Sequence, residues 1–148
     1  GAGAVLAFQC DLTLAAAGTK FQMSFRNMGL IPDTGATWLL PRTVGMQRAK
    51  HLAWTGLPFS AEQAAAWGLI LEAVPAGELT ARTDALLHEL AAGPTGTFGL
   101  QKRALQRHAT GTLHEALMGE ASLQAVASTM AEHAEGRDAF LQKRAPRW

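Results

Sequence analysis

The chain has 148 residues, 48% hydrophobic and 17% charged, with 13 Lys plus Arg against 12 Asp plus Glu and a formal charge of +1. This composition predicts a soluble globular fold with enough apolar material for a core. The near balance of charge excludes a general nucleic-acid binder, and no apolar run reaches the roughly 20 residues that a membrane helix needs. One cysteine, Cys10, excludes an intrachain disulfide framework, and no basic leader with a cleavage site is present, so the expected compartment is the cytoplasm.

In chain order, Gly1 and Gly3 followed by Ala4, Val5, Leu6, Ala7 and Phe8 predict a short buried helix entered through a glycine-lined turn. An apolar opening with no strand or polar lead before it predicts the distal part of a longer protein. Residues 10–16 read as a strand with Cys10 in the core, and 19–23 as a second short strand. Met28-Gly29-Leu30-Ile31-Pro32-Asp33-Thr34-Gly35 is turn chemistry, with Asp33 placed to cap the helix that follows. Pro41 and Gly45 are expected to separate a helix over 34–40 from one over 46–54.

Ser60-Ala61-Glu62-Gln63 is a capping box that opens a helix ending at Gly68, and 69–74 reads as a third short strand. The spacing then predicts helices over 78–90, with Leu79, Leu86, Leu87 and Leu90 on one face, and over 94–108. Thr112-Leu113-His114-Glu115, a second capping box, starts a helix running towards Glu132, and a final helix spans 136–143. There is no internal repeat.

Two segments offer chemistry. A helix whose first turn lacks side-chain bulk exposes free NH groups that can serve as an oxyanion hole, so GAGAVL is one candidate; close helix packing through small residues is the other reading. Asp33 is the second candidate, either as an N-cap or as a general base. Leu30, Ile31 and Trp38 are apolar enough to desolvate it, which is the direction a base needs.

The remaining residues have plainer readings. The five histidines lack metal-ligand spacing, Trp38, Trp54 and Trp67 read as core, and Lys102, Arg103 and Arg107 as a solvated helical face.

The segment MGLIPDTGATWLLPRTVGMQRAKHLAWTG at 28–56, followed by SAEQAAAWGLI at 60–70, resembles the crotonase superfamily of acyl-CoA hydratases and isomerases. GAGAVLAFQCDL is similar to the family's glycine-rich turn and helix, and EGRDAFLQKRAPRW at 135–148 to its C-terminal signature, so the likeness runs over essentially the whole chain. The resemblance implies an α/β fold, a spiral of strand-strand-helix units. This chain should be mostly helical with two or three short strands. Residues 1–92 would belong to the spiral core and 93–148 to a helical region for oligomerisation and CoA contact.

It also implies a thioester enolate held by two NH donors. One matches Ala2, and the other lies in a family segment upstream of Gly1. Family hydratases carry two glutamates at the positions matching Val5 and Phe25, where this sequence has apolar residues that would wall the substrate pocket. Asp33 matches the acid of the 1,2-epoxyphenylacetyl-CoA isomerase branch, whose pattern is close to GLIPDSGGTWLLPR. Phe140 and Lys143 match residues that reach the CoA of a neighbouring subunit.

The implied activity is therefore isomerisation of an acyl-CoA thioester in a homo-oligomer, a trimer or hexamer. It would need no metal and no cofactor beyond the CoA of the substrate. An aromatic acyl-CoA dehalogenase, an enoyl-CoA hydratase and a non-catalytic oligomerisation module are the alternatives. RNA binding lacks the lysine-rich helix it requires.

Overall fold

Alanine-rich residues after Gly1 close into helix α1 (Ala2–Phe8), and the chain then turns through Gln9 into a short strand, β1 (Leu14–Ala16). This is a computed structural model that describes residues 1–148. The chain divides into two units, Gly1–Asp84 and Ala85–Trp148. The division falls inside a helix, eight residues before the boundary that the Gly93-Pro94 stop marks in the sequence.

In the first unit β1 pairs in parallel with β4 (Glu72–Val74), Ala15 facing Ala73, and β2 (Lys20–Phe21) pairs antiparallel with β3 (Phe59–Ser60), Phe21 facing Phe59. The strands are shorter than the sequence predicts. Residues 10–13 are taken up by the turn that leaves α1, so Cys10 is exposed and not a core residue. β3 has no counterpart among the expected elements, because two residues carry no periodicity and exist only through their partner.

A 3-10 turn (Ser24–Met28) leads through the IPDTG segment to α2 (Ala36–Val44) and α3 (Met46–Thr55). α2 runs through Pro41 instead of stopping before it, so the Thr37 carbonyl lacks its usual donor one turn on. The Ser60 capping box forms as expected: Ser60 Oγ accepts from Gln63 N and Gln63 Oε1 from Ser60 N, opening α4 (Ala61–Ala66).

Val5, Met23, Ala36, Leu40, Ala61 and Ala64 centre the core of this unit, all at 2% exposure or less. Beside them four rings interlock. Phe8 to Phe21, Phe21 to Phe59 and Phe59 to Trp67 have centroids 4.9, 5.8 and 5.4 Å apart. Trp67 is thus half-buried as expected, with the Arg48 guanidinium 4.7 Å from its ring. Trp38 and Trp54, read as core, are 48% and 69% exposed.

A second 3-10 turn (Ala76–Glu78) leads into α5 (Leu79–Ala91), which crosses the division between the units and has no fully buried residue. The second unit continues with α6 (Thr95–His108), α7 (Leu113–Ala127) and α8 (Ala131–Leu141). The Thr112 capping box opens α7.

α7 ends earlier than its pattern predicts and α8 begins earlier. Ser128 Oγ and Thr129 Oγ1 donate back to the Ala125 and Val126 carbonyls, and Met130 is extended. The break frees Glu132 to cap α6 from α8. Its carboxylate accepts from Gly96 N at 2.9 Å, Thr97 N at 2.8 Å and Thr97 Oγ1 at 2.6 Å, and these bonds hold its carboxyl below the ordinary value, the Thr97 hydroxyl most of all.

Candidate functional site

The IPDTG turn has an uncommon backbone. Thr34, a β-branched residue, has φ 56° and Gly35 has φ 84°, so two successive residues lie in the left-handed region. A glycine tolerates this and a threonine does so only when held. Gln9, at the end of α1, donates its side-chain amide to the Thr34 carbonyl, and a Cβ at Gly35 would lie 3.0 Å from that amide nitrogen. The positive φ, more than this approach to the tip of a flexible side chain, favours glycine at 35. Gln9 was not among the candidate residues. Its signal in the sequence was a single polar residue closing an apolar helix, directly before Cys10-Asp11.

Asp33 does not cap α2. The N-cap is Gly35, with no side-chain bond, and only the Asp33 backbone carbonyl takes part, accepting from Ala36 N at 2.9 Å. The two left-handed residues move the helix start past the aspartate. The Asp33 side chain is free for another use: Oδ1 accepts from Thr34 Oγ1 at 2.7 Å, and Oδ2 has no partner in the chain.

The enclosure expected from Leu30, Ile31 and Trp38 is absent, since Asp33 is exposed and those neighbours are themselves half-exposed or more. A groove of about 520 Å³ opens alongside. Pro32 and Ala36, on either side of the Asp33-Thr34-Gly35 turn, line it together with Leu30, Leu40, Pro41 and Trp54.

α1 is tied to this turn at its C-terminal end, through Gln9. The Ala2 NH, the expected donor, makes no bond within the chain. Ala2 and Asp33 thus lie on two elements, α1 and the IPDTG turn, that the Gln9 amide links.

Val5 and Phe25 lie inside the first unit. At 0% and 6% exposure they belong to the packed core of the first unit, and neither lines the groove. Phe140 and Lys143 lie in the second unit. They do not share one face of a final helix, because α8 ends at Leu141 and Lys143 follows its cap with φ 53°. Both are exposed, Phe140 at 82%. No three His, Cys, Asp or Glu side chains are grouped so as to hold a metal ion, and no helix is long and apolar enough to cross a membrane.

Comparison with known proteins joins these observations to the expected fold. The profile of the family described as enoyl-CoA hydratase/isomerase matches residues 1–148. The chain is 45% identical over 148 residues to 1,2-epoxyphenylacetyl-CoA isomerase of Escherichia coli K12, covering all of this chain and 56% of that protein. It is 42% identical over 146 residues to a Rhodobacter capsulatus protein named "Probable enoyl-CoA hydratase", covering 99% of this chain and 57% of that one.

Among solved structures, enoyl-CoA hydratase subunit I of Geobacillus kaustophilus matches with a TM-score of 0.96 at 32% identity, covering all of this chain and 58% of its own. The chain therefore spans little more than half the length of the relatives it matches, and within that span it has the crotonase fold, mostly helical with few short strands. It belongs to the enoyl-CoA hydratase/isomerase family.

Proposed function

We propose that the chain is the acid-bearing part of an acyl-CoA isomerase. The observation that carries this reading is the state of the acid positions. Where hydratases of the family carry two glutamates this chain has Val5 and Phe25, packed in the core, whereas Asp33 is fixed on a strained turn with one carboxylate oxygen free.

In this reading the thioester carbonyl oxygen accepts from the Ala2 NH, which stabilises the negative charge that develops as the enolate forms. The second NH donor of the family matches no residue of this chain. Asp33 takes a proton from one carbon of the acyl group and returns it to another, or the enolate drives opening of a strained ring. In either case proton and charge balance without an external acid, reductant or oxidant. Thr34 Oγ1 donates to Oδ1 and leaves Oδ2 as the proton acceptor. With no second acid to activate water, isomerisation is favoured over hydration.

CoA contact by Phe140 and Lys143 and assembly into a trimer or hexamer belong to the same proposal. The assembly is supported by α7, where Leu113, Leu117 and Val126 are 75%, 54% and 51% exposed. The test is turnover of a short enoyl-CoA by the full-length protein in D2O. A shifted double bond with deuterium on the acyl carbons supports the reading. A 3-hydroxyacyl product, or solvent oxygen entering the Asp33 carboxylate before the product, overturns it in favour of hydration or nucleophilic attack.

A further inference from the structure

After α8 the chain turns back on itself, and one side chain holds the return. Glu135, in the second turn of α8, accepts from both terminal nitrogens of Arg144, at 2.5 Å for Nη1 and 2.9 Å for Nη2, and from the Arg147 backbone NH at 2.7 Å. This is a two-pronged guanidinium-carboxylate pair with a third donor added. The Arg144 bonds first, then the Arg147 NH, pull the Glu135 carboxyl down to about 2. Beside it Trp148 lies over Gly136, its ring 3.3 Å from where a Cβ at that position would be.

The residue between α8 and this clamp is Lys143. The Lys143 NH donates to the Phe140 carbonyl at 3.2 Å and the Arg144 NH to the Ala139 carbonyl at 3.1 Å, the two-bond helix ending that usually places glycine at the position Lys143 occupies. Lysine at φ 53° is strained where glycine is not. Its ammonium enters no ion pair within the chain, while the next residue, Arg144, has its charge consumed by Glu135. The clamp thus fixes the backbone from which an exposed, unpaired cation extends.

We propose that Glu135 is a positioning residue for CoA: by clamping Arg144 and the Arg147 backbone it fixes the left-handed turn that presents Lys143 to the phosphates. The inference rests on the reading of Lys143 as a CoA contact. It assigns Glu135 no contact with substrate.

The test compares Michaelis constants of the full-length protein for an acyl-CoA and for the matching acyl-pantetheine thioester, which lacks the nucleotide phosphates. Lys143→Ala and Glu135→Ala are each expected to raise KM for the acyl-CoA about tenfold, the loss of one charge-assisted contact. kcat and the pantetheine KM should stay unchanged. Glu135→Ala should add nothing in a Lys143→Ala background. Glu135→Gln, which keeps the shape and one acceptor oxygen, should fall between the wild type and Ala and carries the test if the Ala variant does not fold.

An effect of Lys143→Ala without one of Glu135→Ala overturns the positioning role alone. Equal effects of Glu135→Ala on both thioesters, or a fall in kcat, show a purely structural clamp. No effect of Lys143→Ala removes the CoA reading and the positioning role with it.

Discussion

Gln9 donates its side-chain amide to the main-chain carbonyl of Thr34, and through that bond the helix that begins with Ala2 is tied to the turn that holds Asp33. The partners are 25 residues apart in sequence. The bond holds from another element a turn whose β-branched Thr34 has φ 56°, and so steadies the backbone next to Asp33.

Replacing Gln9 by Leu, which keeps the bulk and removes the donor, should cost about 0.5–1.5 kcal/mol of stability. It should lower kcat of the full-length protein roughly tenfold or more through displacement of Asp33, with KM little changed. Steady-state kinetics beside thermal unfolding check this. A variant that loses stability with kcat intact shows that the turn holds Asp33 without help from α1.

Phe59 carries the hydrophobic side of the same unit. At 3% exposure it touches the rings of Phe8, Phe21 and Trp67. Phe59→Ala should destabilise the chain by about 3–5 kcal/mol, read as a shift of the denaturant midpoint. A loss under 1 kcal/mol would show that the ring cluster is not a cooperative core.

How far these features could be read in advance depended on how local their causes are. The capping boxes at Ser60 and Thr112 are complete within four residues and formed as expected. The Gly-Leu-Ile-Pro-Asp-Thr-Gly pattern carried the family resemblance and singled out Asp33. What escaped was non-local. β3 exists only through β2, the end of α7 is set with Glu132 reaching α6, and the Asp33 cap is cancelled by two left-handed residues that Gln9 stabilises from another element. Trp38 and Trp54 were misread because a large aromatic on a helix signals burial against something, and nothing in one chain's periodicity tells whether that partner lies within it.

The acid stability of the second unit should depend on Glu135. Its folded value, about 2, lies below the ordinary 4.5, so its contribution is fully present above pH 4.5 and is lost as pH falls from there through about 2. Glu135→Gln should therefore flatten the decline in stability across that window and change the slope little above it. Urea titrations at stepped pH measure this. An unchanged slope would mean that the Arg144 pair contributes equally to folded and unfolded chains.

Leu113 and Leu117, exposed one turn apart on α7, should belong to an assembly surface. Leu117→Glu in the full-length protein should convert a trimer or hexamer to smaller species by light scattering, while leaving helix content intact. An unchanged assembly would assign the contacts to other elements.

The most direct measurement is turnover of the Asp33→Asn protein, full length, on an enoyl-CoA substrate. The Asp33 side chain caps no helix, and asparagine can still accept the Thr34 hydroxyl hydrogen bond, so stability should change by less than about 1 kcal/mol. Removing the proton acceptor should nevertheless lower kcat by roughly a hundred- to ten-thousand-fold. A folded Asn variant that isomerises the substrate at a rate near that of the wild type would contradict the assignment of Asp33 as the base.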